Sequence, residues 1–499
     1  MSDRPISRIY TMEETRAKVR NLIKMGVPED LALQAGNSHR EHWSTTRICG
    51  CEVKPCAEIS VALWGFPCYH RDKQFSLMSL VRMGWAMDLR KDADIIIKEA
   101  LRRVMPDEAV AQALTGKCFH EGRIYLVAAG KAAWQMAGTA VAILGDRLQA
   151  GVCVTKYGHV KGDIPKVRCF EAGHPVPDGN SFRGTQAALD LVSGLKREDT
   201  VIFLLSGGGS ALFEKPPTSE EELSDITAQL LACGADITEM NIIRKRLSAV
   251  KGGRFAKICA PARVYSIVLS DILGDPLDMI ASGPAYPDSS TCEQALAVVE
   301  KYGLRLSDRA MALLGEETPR ELDNVETVVT GSVRNLCLAA AQACEDLGYQ
   351  PLILTDWLCC EAGEAGSFLA SIAKTHQASG RSLAFLAGGE TVVHLSGTGK
   401  GGRNQELALA AAEGIAGLKD TAVFSIGSDG TDGPTDAAGG YCDGDTKQRL
   451  ADKGIDIYQV LRDNNAYMAL EEAGGLIKTG ATGTNVNDVA VLLIKREGE

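Results

Sequence analysis

Beyond residue 87 the chain alternates between short, almost wholly apolar runs and longer stretches with apolar residues at helical spacing. RIYLVAAG (123–130), AGVCVTK (150–156), VRCFEAG (167–173), TVIFLLSG (200–207) and RVYSIVLSDIL (263–273) predict strands, being short and rich in β-branched residues. The intervening DADIIIKEALRRVM, KAAWQMAGTAVAILG, RGTQAALDLVSGL, SEEELSDITAQLLACG and DITEMNIIRKRLSAVKGGRFAKIC predict helices. Strands without polar alternation are buried on both faces, which points to a parallel sheet between two helix layers. This α/β domain is expected to end near Gly315, where the charged GEETPRELDN (315–324) reads as a linker. The alternation then resumes: NVETVVTGS, QPLILTD, SLAFLAGGE, TVVHLSG, TAVFSIGSDG and DVAVLLI predict strands of a second α/β domain, with helices such as NQELALAAAEGIAG between them. A cleft between two such domains is the default place for a ligand.

The first 86 residues do not share this pattern and read as an atypical N-terminal extension, disordered or a fusion remnant. Cys49, Cys51, Cys56 and Cys68 fall there, but the opening C-x-C spacing does not match the usual paired ligands of a structural zinc site. Met87 stands where the regular pattern begins.

At 499 residues the chain is too long for one core. A net charge of −11 argues against nucleic acid as the main partner, since a phosphate backbone needs a basic face. Small anions need only a local group of cations, so they stay open. No apolar run reaches the ~18 residues of a membrane-spanning helix. Cysteines such as Cys153, Cys233, Cys337 and Cys344 lie inside apolar elements, where they act as small hydrophobes, and a reduced cytoplasm is expected.

Against that acidic background, cations at glycine-rich turns stand out. Lys131 follows the first strand directly, and Arg403 sits in GTGKGGRNQE (397–406). The loop SGGGSALFEKP (206–216) places Ser206, Gly207, Gly208, Gly209 and Ser210 after another apolar strand, where backbone N–H groups can face a phosphate. These turns predict small-molecule phosphate chemistry. GTGKGG is not a Walker A sequence, and the SGGGS loop is a weak dinucleotide fingerprint. Arg244, Lys245, Arg246, Lys251 and Arg254 form a cationic run whose simplest reading is a solvated helix face, although Lys251 and Arg254 are placed to reach a cleft. Asp271, with Asp275 and Asp278 close behind, follows one strand, and Asp429, Asp432 and Asp436 follow another. Carboxylates at strand ends serve as bases or metal ligands, against the alternative that Asp-Gly and Asp-Pro simply make turns. Glu390 ends a buried strand and has capping or pairing as its plain reading, and His174 in GHPVPDGNS (173–181) reads as structural.

Taken together, AAGKAAWQMA, GHPVPDGNS, LLSGGGSALFEKP, DITEMNIIRKRLSAVKGGRFA, LSDILGDPLDMIASGP, GGETVVHLSGTGKGGRNQELALA, GSDGTDGPTDAAGG and TGATGTNVNDVAVLLI closely resemble the glycerate 2-kinase family, the type II glycerate kinases that contain a MOFRL domain. The resemblance implies an N-terminal Rossmann-like domain over 87–318, a C-terminal MOFRL α/β domain over 325–495, and an active site between them. It implies transfer of the ATP γ-phosphoryl group to the 2-hydroxyl of D-glycerate, with Mg²⁺ accompanying the nucleotide. On that reading Lys131 and Arg403 are the catalytic cations and Asp271 orients the hydroxyl or a metal-bound water. The SGGGS loop and the arginine-rich helix, with Lys251 and Arg254, would meet nucleotide phosphates or the glycerate carboxylate, with Arg244, Glu390, Asp429 and Asp432 as substrate or metal candidates. A homodimer is compatible with it. A hydroxypyruvate reductase and a non-catalytic sugar- or phosphate-binding module are the alternatives. Separately, residues 15–46 resemble the C-terminal tail of group II intron reverse transcriptase/maturases, which would predict salt-sensitive RNA binding confined to the extension.

Overall fold

The computed structural model describes residues 88–119 and 121–496. The maturase-like segment and the four N-terminal cysteines lie outside the described residues. These described residues belong to one compact unit built on two six-stranded sheets. Among them no helix is long and apolar enough to cross a membrane.

The first sheet holds β1 (Ile124–Ala129), β2 (Leu148–Lys156), β3 (Val167–Ala172), β4 (Thr200–Leu205), β5 (Arg263–Leu269) and β6 (Val325–Gly331). Their spatial order is 3-2-1-4-5-6 and every pairing is parallel. Every residue of β1 and β4 is buried, and the pleat shares them between two cores. Tyr125, Val127 and Ala129 enter one with Phe203, Phe213 and Phe255. Ile124, Leu126 and Ala128 enter the other with Met136 and Ala140 of helix Ala133–Leu144. That two-sided burial is why these strands read as unbroken apolar runs. Strand order reverses between β1 and β4, so the crevice beyond their carboxyl ends is the topological switch point where such sheets bind ligands.

The second sheet holds β7 (Gln350–Leu358), β8 (Leu383–Gly389), β9 (Thr421–Gly427), β10 (Gly439–Asp443), β11 (Leu476–Ile477) and β12 (Asp488–Ile494), in the order 11-10-9-12-8-7. Only β7 and β8 pair in parallel; β12 is inserted antiparallel between β8 and β9. Helices Ala362–His376 and Arg403–Ile415 cover one face.

Three sequence expectations change. The strand at 325–331 is the outer strand of the first sheet, paired with β5, so the charged 315–324 stretch does not separate the two sheets. Helix Leu89–Arg103 packs Ile96, Ile97, Ala100 and Leu101 into the second sheet's core rather than the first. Asp92 fixes it there, accepting a hydrogen bond from Tyr349 at 2.6 Å and pairing with Lys495. TVVHLSG (391–397) forms no strand, only an isolated bridge between Val392 and Glu361. Its alternation is that of an extended loop that finds no partner strand.

Candidate active site

The turns after β1 and β4 interlock. Lys131 N–H donates to the Gly207 carbonyl at 2.9 Å, and Ala132 N–H donates to the Ser206 hydroxyl at 3.1 Å. The Lys131 carbonyl accepts from the Thr155 hydroxyl at 3.2 Å and lies 2.9 Å from His159 Nδ1, which must be the protonated ring nitrogen there. The backbone of Lys131 is thus held on both sides. Its ammonium has no hydrogen-bond or ion-pair partner among the described residues, as an anion-binding lysine requires.

Two glycines of the loop have steric reasons. A Cβ on Gly207 would lie 2.3 Å from Asp271 Oδ2. Gly208 has φ +84°, and a Cβ there would meet the His174 ring at 2.9 Å and Lys131 Cγ at 3.2 Å. Lys131, His174 and Asp271 therefore border one loop. Burial, together with the positive charges of Lys131, Lys156 and His159, pushes the His174 imidazole below its ordinary range and keeps it neutral. Burial pushes the Asp271 carboxyl up and Glu390 adds to this, while Lys131 opposes it. A partly buried carboxylate with a raised pKa beside a free lysine is a recognisable proton acceptor.

Residues of the second sheet meet this crevice through Asn487. Its Nδ2 donates to the Asp271 carbonyl and to Glu390 Oε2, both at 3.2 Å. Both partners are acceptors, which fixes the amide orientation and leaves Oδ1 buried with no partner among the described residues. Glu390 Oε1 pairs with Arg403 Nη1 at 3.1 Å. Arg403 also forks onto Asp488, through Nε to Oδ2 and through Nη2 to Oδ1 at 3.1 Å. Burial works against the Arg403 charge, but the Asp488 hydrogen bonds outweigh it and hold the guanidinium firmly protonated. A hydrogen-bonded line thus runs from the Asp271 backbone through Asn487 and Glu390 to Arg403, joining the two sheets' loops, and Lys131 borders its Asp271 end across the glycine loop. Asn487 on this line is left-handed without being glycine (φ +64°), and so are Ala281 (+51°) and Ser282 (+60°), which meet Gly209 and Ser210 of the glycine loop. Asn487 and Asp488 were within a motif quoted from the sequence, but an Asn-Asp pair before a strand reads as a turn. Only the fold shows that Asp488 holds Arg403 and that Asn487 ties Glu390 to the Asp271 backbone.

Other residues picked out by pattern serve the fold. The run 244–254 is no solvated face: Lys245 and Arg246 are 2% and 0% exposed. Lys245 pairs with Asp278 at 3.2 Å and Asp288 at 3.0 Å, and Arg246 bonds Ser290 and Glu317. Lys251 is buried against Glu214 and donates to the Ser210 carbonyl at 2.7 Å, so it braces the SGGGS loop instead of facing a phosphate. Arg254 caps the end of helix Ile237–Arg246 through the carbonyls of Lys245, Arg246 and Ser248 at 2.8–2.9 Å. It too has no donor to spare for a nucleotide on that nitrogen. The single helix expected from 236 to 259 ends at Arg246 and resumes only at Arg254, after Gly253, and the non-helical return between them carries Lys251 and Arg254 inward. Asp432 accepts from Asn404 N–H at 3.1 Å and Gln405 N–H at 2.9 Å, capping helix Arg403–Ile415 from outside. Burial pushes its carboxyl up to about 6. Both oxygens are occupied, so it does not suit a metal. Asp429 accepts from Thr431 N–H at 2.9 Å, as a turn aspartate does.

Two family profiles match the chain: a domain of unknown function, DUF4147, over residues 92–315, and the MOFRL family over 383–488. A D-glycerate 2-kinase of Thermotoga maritima is 50% identical over 412 residues, covering 81% of this chain and 98% of that protein. A glycerate 2-kinase of Pyrococcus horikoshii is 40% identical, covering 82% and 98%. A putative hydroxypyruvate reductase of Agrobacterium vitis is 38% identical, covering 80% and 95%. The crystal structure of a glycerate kinase from Thermotoga maritima superposes with a TM-score of 0.78 over 82% of this chain and 99% of that one, at 50% identity.

Proposed function

The chain belongs to the glycerate 2-kinase family, and from that premise we propose that it transfers the γ-phosphoryl group of ATP to the 2-hydroxyl of D-glycerate at the crevice beside β1 and β4. The observation that carries this reading is the hydrogen-bonded line from Asp271 to Arg403, with a rigidly oriented guanidinium at one end and the free Lys131 ammonium bordering the other across the glycine loop.

Phosphoryl transfer needs positioning and charge stabilisation more than covalent help from the protein. Lys131 supplies a compact charge with three N–H donors. Arg403 has five N–H donors, of which Asp488 and Glu390 engage three, leaving two for phosphate oxygens. Asp271 takes the proton as the substrate oxygen attacks phosphorus; the bond from phosphorus to the bridging oxygen breaks and ADP leaves. Mg²⁺ carried in with the nucleotide would offset phosphate charge. Its ligands there would be phosphate oxygens and water, which leaves the Asp271 carboxylate, without a side-chain partner among the described residues, free for the proton. The cysteines among the described residues are free, in keeping with a reduced cytoplasmic setting.

The reductase alternative rests on the names of two relatives. No hydride-handling constellation accompanies it in this crevice among the described residues, so the kinase reading is preferred. Purified protein given D-glycerate and Mg·ATP should release ADP and form 2-phosphoglycerate, identified by NMR. NADH consumption with hydroxypyruvate and no ADP release would overturn the kinase reading.

Two further results are expected. Gly207→Ala pushes a methyl group into the Asp271 carboxylate and should lower kcat/KM about 10²-fold, the cost of displacing a reacting group by about 1 Å. Its melting temperature should change little, because the loop borders a crevice. As base, Asp271 must be ionised, so kcat/KM should rise with pH through its elevated pKa. Glu390 raises that pKa by its negative charge; Glu390→Gln should therefore move the acid limb of the profile to lower pH. An unmoved limb would show that another group titrates.

A further inference from the structure

Of the five cations between residues 244 and 254, four have identified partners. Lys245, Arg246 and Lys251 meet carboxylates, and Arg254 meets three carbonyls. Arg244 has no hydrogen-bond or ion-pair partner among the described residues, although burial costs its charge enough to lower its pKa. A half-buried guanidinium without an anion is unfavourable as a structural element and ready-made as a receptor.

Two observations put it near the glycine loop. Asn241 lies one helical turn before it on the same face of helix Ile237–Arg246. Asn241 Oδ1 accepts from the Ser282 hydroxyl at 2.9 Å, and that hydroxyl lies 3.4 Å from the Ser210 hydroxyl of the glycine loop. Arg244 also feels the charges of Glu214 and Lys251, the pair that holds the Ser210 carbonyl. Both routes end at the far end of the loop whose near end carries Gly207 and Gly208 beside Lys131. The left-handed backbone at Ala281 and Ser282 keeps this junction in place.

We infer that Arg244 binds the carboxylate of the 2-hydroxy acid substrate and thereby selects acids over neutral alcohols. This deepens the kinase reading and rests on it. With Lys131, Arg403 and the loop N–H groups directed to the phosphates, the acceptor's carboxylate is the remaining anion, and a planar guanidinium fork matches it with two parallel hydrogen bonds.

The test compares D-glycerate with D-glyceramide, its uncharged analogue, in the wild type and in Arg244→Gln and Arg244→Lys. The expected result is a drop in kcat/KM for D-glycerate on the order of 10²-fold in Arg244→Gln, as for loss of a charged hydrogen-bonded pair. Activity on D-glyceramide and the KM for ATP should stay within about two-fold of wild type by the same argument, with Arg244→Lys intermediate. An equal fall on both substrates would assign Arg244 a structural role, and a raised KM for ATP would assign it to nucleotide phosphate. Unchanged D-glycerate kinetics would also overturn the inference. Wild-type protein that leaves D-glycerate unphosphorylated removes the kinase reading itself, and the inference with it. Wild-type turnover with any of the other contrary results removes the inference alone.

Discussion

Lys131→Ala and Arg403→Ala should each lower kcat by about 10²-fold or more, the loss seen when one preorganised transition-state donor is removed. The two variants should differ in what else they change. The Lys131 ammonium has no protein partner among the described residues, so its removal leaves nothing unpaired and the fold should melt as wild type does. Arg403 is the sole forked partner recorded for Asp488, whose carboxylate is buried and already pushed up by that burial. Its removal leaves a buried charge uncompensated, which costs stability as well as rate. Arg403→Lys separates the effects: it restores a charge near Asp488 but loses the fork, so stability should recover further than kcat. Near-wild-type rates in both alanine variants, measured at saturating substrate, would remove these residues from the mechanism.

These roles were only partly readable in the sequence. The unbroken apolar strands announced the first sheet because its central strands β1, β4 and β5 are buried on both faces, and Lys131, the SGGGS loop and Asp271 followed because they end such strands. Arg403 was legible as a cation at a glycine turn, but its orienting partners were not. Asp488 and Asn487 are distant in sequence, and their role depends on β12 entering between β8 and β9, which no local pattern encodes. The same limit explains Lys251 and Arg254. Helical spacing gave them a face, yet the helix ends at Arg246 and the non-helical return to Arg254 turned them inward, and only tertiary packing decides what a buried cation meets. The edge strand β6 was placed with the wrong sheet because a charged loop looks like a linker whether or not the chain crosses between domains.

The second large expected effect lies in that buried cationic cluster. Asp288→Ala should destabilise the protein by about 3–5 kcal/mol, the range for stripping one partner from a buried ion pair. Asp288 accepts from Lys245 at 3.0 Å, from Ser290 N–H and hydroxyl at 3.0 Å each and from Thr318 at 2.7 Å, and it stands 3.8 Å from Arg246. Neither basic side chain can easily reach water. Burial alone would raise the Asp288 carboxyl, but the bonds from Ser290, Thr318 and Lys245 prevail and hold it below its ordinary value. A lowered native pKa means its stabilising contribution is present above the unfolded-state value and is lost as pH falls through the folded-state value. Urea denaturation should therefore show the gap between wild type and variant closing in acid. A gap below about 1 kcal/mol at neutral pH would show that Asp278, Glu317 and Ser290 suffice for Lys245 and Arg246.

The most direct measurement is a crystal structure of the protein with D-glycerate and a non-hydrolysable ATP analogue. The account predicts Lys131 Nζ and the Arg403 guanidinium both within about 3 Å of oxygens on the terminal phosphate, with the glycerate 2-hydroxyl between that phosphate and Asp271. A terminal phosphate held by one of these cations while the other stays beyond contact would contradict it.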